Sequence, residues 1–360
     1  MTKAIVYYLP QFHEIPENDE WWGKGFTEWT NVGKAKPLFR GHYQPHIPAD
    51  LGYYDLRVPE TRTAQAVMAK EHGIEAFCYY HYWFSGKRIL ERPFNEVLQT
   101  GQPDFPFCLC WANENWTRSW DGGVQHVLLE QNYSYEDDLN HIRSLIPALR
   151  DQRYFRVNGK ALLLVYRTEI LPNPARSAEI WREEANRNGV GELYLVRVEG
   201  FKSDIDPQSI GFDAALEFAP DWRNKGVSKN RNRWQSRLTK LGLIPKVYSE
   251  NHIVEYSDLV SSMLAKPTPT YHRFHCVTPG FDNSARRNKD AVIFVNSTPE
   301  SYGKWLKEVL SKTCSKFKDE EQIVFINAWN EWGEGNHLEP DLNWGNSYLK
   351  ETRLALELSG

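Results

Sequence analysis

The chain alternates between two kinds of patterning. Short runs of apolar, β-branched and aromatic residues fall at 4–9, 74–80, 105–111, 161–166, 193–198, 214–218, 273–277 and 323–328. Each has strand length and is bounded by turn-forming residues, so each predicts a buried β-strand. Between them, residues 61–72, 135–150, 177–188, 256–265, 300–316 and 347–358 carry apolar positions at helical spacing, two of them closed by Gly73 and Gly189. Strands that alternate with helices predict βαβ units around a parallel sheet, and eight strands in 360 residues predict an α/β fold of the (β/α)8 TIM barrel type, with residues 1–360 as one domain. A doubly wound sheet is the competing arrangement, but no strand is followed by the G-x-G-x-x-G turn of a dinucleotide-binding fold.

A barrel assembles its site just past the C-terminal ends of its strands. The predicted strands end in Pro10-Gln11-Phe12-His13, His81-Tyr82-Trp83, Ala112-Asn113-Glu114-Asn115-Trp116, Arg167, Glu199, Glu217 or Pro220-Asp221-Trp222, Thr278-Pro279-Gly280-Phe281-Asp282, and Asn330-Glu331-Trp332. Loops are polar as a rule, yet carboxylates, histidines, amides and tryptophans at nearly every strand end predict a polar, aromatic-lined cleft. Two βα loops are long. Residues 14–59, rich in Trp, Gly and Pro, are expected to build one wall of the cleft. Residues 222–246 carry Arg223, Lys225, Lys229, Arg231, Arg233, Arg237 and Lys240 with almost no acid, which fits either a solvated face or a lid that touches an anionic ligand.

Composition narrows the function classes. Hydrophobic residues make up 41% and charged residues 25%, as in a globular protein, and a formal net charge of −4 argues against nucleic acid as a partner. Five cysteines, four of them in apolar runs, predict buried reduced thiols. Met1-Thr2-Lys3 leads straight into the first strand and no apolar run reaches the ~18 residues of a membrane span, so the expected compartment is the cytoplasm. His13, His42, His46 and His81 match no metal-ligand spacing, and Asp204-Ile205-Asp206 reads as a loop rather than a sugar-nucleotide motif. No metal and no cofactor are expected.

The densest chemistry lies in QIVFINAWNEWGEGNHLEP, residues 322–340. A strand there delivers Glu331 and Glu334 to its C-terminal end, three residues apart and flanked by Asn330 and Trp332. If the segment turns helically the two acids share a face. Neighbouring carboxylates raise each other's proton affinity, so one can be held protonated while the other is ionised, which is the minimum equipment of a glycosidase beside an aromatic platform. The expected substrate contacts are Glu114, Asn113, Trp111, Trp116, His13, His81, Tyr82, Trp83, Asp282, Asn330 and Trp332. Solvated loop acids that complement a helix N-terminus are the plainer reading of the pair. Gly333 and Gly335 weaken that reading, because they allow the backbone to approach a ligand closely.

These motifs also carry a resemblance. YYLPQFHEIPENDEWWGKGFTEWTNV, GHYQPHIPADLGYYDLR, CYYHYW, CWANENWTRSWDG, TPGFDNSARR and NAWNEWGEGNHLEP resemble the WbsX-like family associated with bacterial polysaccharide biosynthesis, along most of the chain. The Pro279–Asp282 segment and the N-E-W-x-E-G motif are similar to glycoside hydrolase family 99, the endo-α-mannosidases. That resemblance implies a (β/α)8 fold and a retaining reaction through a 1,2-anhydro sugar, with Glu331 as base on the sugar 2-hydroxyl and Glu334 as general acid/base. Those enzymes commonly carry His where this chain has Gly333. The expected function is a glycoside hydrolase or transglycosylase acting on an α-linked bacterial oligosaccharide or polysaccharide. A glycosyltransferase of cell-surface polysaccharide synthesis is the second reading, and a non-catalytic carbohydrate-binding barrel the third.

Overall fold

The computed structural model describes residues 2–117, 127–228, 237–239, 241–287 and 289–358. Four of the basic residues noted above, Lys229, Arg231, Arg233 and Lys240, lie outside the described residues. Eight parallel strands form the barrel: β1 (Lys3–Tyr8), β2 (Ile74–Phe84), β3 (Phe107–Trp111), β4 (Lys160–Val165), β5 (Leu193–Val198), β6 (Ala214–Leu216), β7 (Arg273–Val277) and β8 (Ile323–Ile326). Each pairs with its neighbours in chain order, and β1 closes the sheet by pairing with both β2 and β8, in registers that include Tyr7↔Cys78 and Ile5↔Phe325. All eight correspond to the predicted runs.

Period-two alternation assigns each strand residue to one of two environments. Inside, Tyr7 stacks on Tyr80 with ring centroids 5.2 Å apart and meets Phe218 edge-on at 5.8 Å. Outside, Trp111 packs against Trp181 and His141 of the surrounding helices. Helices Pro59–Glu71, Arg92–Thr100, Tyr135–Leu149, Pro174–Arg187, Tyr256–Leu264, Pro299–Lys316 and Ser347–Glu357 cover the barrel. Their starts are written in the sequence: Ser134 accepts a bond from the Asp137 amide, and Thr298 and Ser301 cap reciprocally. Arg92–Thr100, which the pattern of apolar positions did not predict, opens on Pro93 and stops at Gly101 in the left-handed region. The β5–β6 crossover is reduced to a 3-10 turn, Pro207–Ile210. No helix among the described residues is long and apolar enough to cross a membrane. Cys78, Cys108, Cys110 and Cys276 are buried free thiols, as expected.

Beyond β8 the chain keeps its hold on β1. Trp329 donates its amide to the Tyr7 carbonyl, and the Asn330 side chain accepts from the Leu9 amide at 2.7 Å while donating to the Leu9 carbonyl at 3.0 Å. Asn330 thus extends the barrel ladder by one side chain, and it is fully buried. Residues Asn330–Glu331 then pair antiparallel with Asn336–His337 across a 3-10 turn, Trp332–Glu334, whose end is set by Gly335 at φ +53°. Asn330 is therefore a tie between β1 and the hairpin, not the ligand contact its sequence context suggests. Asn330→Ala leaves the Leu9 amide and carbonyl buried without partners, at about 1–3 kcal/mol each. Urea denaturation is expected to show a loss of about 2–6 kcal/mol. Unchanged stability would return Asn330 to the set of ligand contacts.

Candidate active site

The site is organised by Arg286, which sequence reasoning left unnamed although it lies within the TPGFDNSARR motif. After β7, the Asp282 carboxylate accepts the Ser284 amide and starts a 3-10 turn, Asn283–Ala285, that presents Arg286 towards the hairpin of Glu331. Its three nitrogens meet three different carboxylates: Nη1 to Glu334 at 2.6 Å, Nη2 to Glu331 at 3.0 Å and Nε to Glu28 at 2.9 Å. The third acid comes from the first long loop. That loop folds into two short helices, Pro16–Trp22 and Glu28–Lys34. The second is seated by Trp29, whose indole donates to the Tyr54 carbonyl and whose ring packs on Phe12 and Trp332.

Gly333 explains how the two parts meet. A Cβ on this residue would lie 2.0 Å from the Glu28 Oε1 and 2.8 Å from the Arg286 Nε. The space that a side chain would fill at this position holds the Glu28–Arg286 pair, so glycine is a packing requirement here rather than a vacancy for ligand.

Three carboxylates around one guanidinium carry an excess of two negative charges if all ionise, in a setting where Glu28 is 1% exposed and Glu331 7%. Burial raises the Glu331 carboxyl to about 8 against the opposing pull of Arg286, and Glu334 and Glu28 push in the same direction as burial. Burial also raises Glu334, again opposed by Arg286. At neutral pH the cluster therefore retains a proton. The shorter Arg286 contact goes to Glu334, which favours the anion there and the proton on Glu331. Glu334 is the more open of the two, its side chain 24% exposed.

Tyr82 lies within electrostatic reach of Glu331 and Tyr166 within reach of Glu334, and Trp116, Trp21 and Glu114 follow from these two. Tyr82 accepts from Gln11 at 3.0 Å and meets the half-buried Trp116 edge-on at 5.4 Å, and Trp116 in turn meets Trp21 at 5.7 Å. Burial raises the Tyr166 phenol, and Glu114 and Glu334 add to the rise. Glu114 is 2.5 Å from Arg167, whose guanidinium rests 3.9 Å above the Phe201 ring. Its side chain is 40% exposed.

The remaining expected contacts are engaged by protein, apart from His13, which is buried with both ring nitrogens unpartnered. Strand parity sends His81 and Trp83 outward, where His81 meets His141 at 3.0 Å and Trp83 donates to Asp137. Trp111 is outward for the same reason. Asn113 bridges to the backbone of Arg167 in both directions. His13 is 1% exposed, and burial lowers its imidazole to about 4. Asp282 accepts from Gln44 at 2.7 Å and pairs with His42 at 2.6 Å. Trp332 stacks on His337 at 3.7 Å and donates to Glu339, whose buried carboxylate also accepts from Tyr54 and Gln65. It is a strut beneath the acids, not an open platform. Of the strand-end acids, Glu199 and Glu217 face outward into a buried network with Arg197, Arg273, Lys266 and His275.

The family described as Glycosyltransferase WbsX matches residues 4–352, and the chain belongs to that family. It is 44% identical over 352 residues to the uncharacterized protein WxcX of two strains of Xanthomonas campestris pv. campestris, a match that covers 98% of this chain and 49% of that protein. The chain thus spans about half the length of the curated relatives it matches. Among solved structures it is similar to the GH99 endo-alpha-mannosidase from Bacteroides thetaiotaomicron, with a TM-score of 0.58 and 14% identity over 99% of this chain and 97% of that one. A glycoside hydrolase-like protein aligns with a TM-score of 0.57 and 12% identity over 98% and 93%. At these identities the likeness is one of fold.

Gly333→Ala tests the packing. Its methyl group is expected to dislodge the Glu28 carboxylate and cost about 1–3 kcal/mol of unfolding free energy, as overpacking does. In a Glu28→Ala background most of that cost should vanish, because the clashing group is gone. Strict additivity of the two changes in a denaturation cycle would contradict the arrangement.

Proposed function

We propose that this chain, acting as one catalytic barrel, cleaves or transfers an α-linked glycan with retention of configuration, using Glu331 and Glu334 as its carboxylate pair. The observation that carries the reading is the single guanidinium shared by both acids and Glu28, which keeps one proton in a buried cluster at neutral pH. A reaction that needs one acid and one base in the same place needs such a singly protonated pair. The resemblance of the N-E-W-x-E-G motif and the shared fold support the choice of a glycan as substrate.

In the proposed cycle Glu331, as the anion, takes the proton of the sugar 2-hydroxyl while O2 attacks C1, and Glu334 gives its proton to the departing glycosidic oxygen. The products of this step are a 1,2-anhydro sugar and a free leaving group. Water, or an acceptor hydroxyl, then opens the three-membered ring at C1, with its proton passing to Glu334 and the Glu331 proton returning to O2. Two inversions give retention. The resting proton on Glu331 and the reactive proton on Glu334 belong to the same charge state of the pair, so exchange between the two carboxyls does not change the pH dependence. Trp116, Tyr82, Tyr166, Trp21 and Glu114 are the proposed sugar contacts. Transfer from a nucleotide sugar is the second reading, favoured by the description of the family; turnover that requires a nucleotide sugar would select it.

Glu331→Gln and Glu334→Gln are each expected to lower kcat/KM on an α-linked oligosaccharide by on the order of 10²–10⁴-fold, with the fold retained. The reducing-sugar release of both variants checks this, and full activity in either would remove the pair from the mechanism. For the parent protein, kcat/KM should fall as pH rises through about 8, where Glu331 loses the shared proton. A profile that keeps rising beyond that point would contradict a singly protonated active form.

A further inference from the structure

The hairpin that carries Glu331 has a second face. Behind it lies a cavity of about 390 Å³, set between residues 41–46, 279–298 and 335–348. It is separate from the acid cluster, and none of the chemistry proposed above uses it. Three potential metal ligands converge on its wall, His46, His337 and Asp341, with ligand atoms all within 4.8 Å of one another.

Their hydrogen bonds hold the three ligand atoms close together. The His337 Nδ1 lies 2.8 Å from the Glu339 carbonyl, which can only accept, so Nδ1 carries the proton and Nε2 presents a lone pair. That Nε2 accepts a hydrogen bond from the His46 Nδ1 at 2.8 Å and lies 3.8 Å from the Asp341 Oδ2, so a bound ion would take the place of the proton between the two rings. The other oxygen of Asp341 accepts the amides of Asn343 and Trp344, which fixes the carboxylate with Oδ2 turned to the histidines. A backbone carbonyl on the distal nitrogen of one histidine and amides on the distal oxygen of the carboxylate are the outer contacts that orient metal ligands. Two nitrogens bound to one zinc ion sit roughly 3.3 Å apart, given metal–nitrogen distances of about 2.0–2.1 Å. A small separation of the two rings therefore admits an ion.

We propose that His46, His337 and Asp341 bind a divalent transition-metal ion, with zinc the best match to two imidazoles and one carboxylate, and that its open coordination position faces the cavity. The ion ties the first long loop, through His46, to the strand that pairs with Glu331. It is a site distinct from the carboxylate pair, and it stands or falls independently of how Glu331 and Glu334 work.

The test uses the full, tag-free chain, stripped with a chelator and titrated with Zn²⁺ alone by calorimetry, with metal content counted after dialysis. One equivalent of Zn²⁺ per chain is expected, with a higher unfolding midpoint when it is bound. His46→Gln and Asp341→Asn should each weaken binding at least about tenfold. His337→Ala should do the same, but its ring packs on Trp332 and its loss can disturb folding, so the decisive variants are those at the half-buried His46 and the isosteric change at Asp341. Binding well below one equivalent overturns the proposal. So does one equivalent that persists unchanged in His46→Gln and Asp341→Asn.

Discussion

One guanidinium facing three carboxylates, two of them buried and the third half-buried, is the constraint around which the upper face of the barrel is arranged. Ionising all three acids in that enclosure would leave two uncompensated charges, which burial penalises heavily. The cluster can meet this by holding a proton. A buried ion pair with one Arg and one Glu would be inert; adding further carboxylates to the same cation leaves the cluster one proton away from two nearly balanced charge distributions, and a titratable pair near neutral pH is the result. The enclosure matters as much as the charges, since in water the same groups would ionise independently.

Each neighbouring element can be traced to that cluster. The first long loop supplies Glu28 and walls off solvent with Trp29. The loop after β7 spends its own carboxylate, Asp282, on shaping the turn that aims Arg286. The hairpin after β8 is pinned to β1 by Asn330 and supported from below by Trp332, which leans on Glu339 and His337. Glu339 accepts three hydrogen bonds in the interior and converts a tryptophan beside two acids into a fixed spacer. The hairpin therefore places two carboxyls against one cation with little freedom to separate.

The barrel was legible because its strands are continuous apolar runs, and a parallel sheet buried on both faces requires that pattern. The two acids were legible because they follow such a run directly. Which strand-end side chains face the cleft was less so, but part of the answer was available. Once Tyr80 and Tyr82 are assigned inward, alternation puts His81 and Trp83 outward, and the same argument removes Trp111. Glu199 and Glu217 failed as cleft acids for the same reason. Asn330, Asn113 and Asp282 resemble ligand contacts in sequence because the groups that bind sugar hydroxyls also bind backbone amides and carbonyls. Only the three-dimensional partner decides between them. Arg286 and Glu28 were invisible as a pair, since 258 residues separate them and neither follows a strand directly.

Gly333 shows how a substitution at one position can move the chemistry of a site without removing it. A glycine between two acids reads in sequence as room for the backbone to approach a ligand. In the fold the same glycine makes room for an acid and a base delivered from two other loops, so a cation bridging both carboxyls stands where a side chain from the hairpin itself would otherwise project. The consequence is electrostatic as well as steric: a guanidinium this close lowers the proton affinity of both acids, and Glu28 raises it again. Removing Glu28 would lower the proton affinity of the pair and removing Arg286 would raise it, while burial, the largest influence on both acids, would remain. Burial, Arg286 and Glu28 together set the proton affinity of Glu331 and Glu334, and the Glu28–Arg286 pair can stand beside them only because position 333 has no side chain.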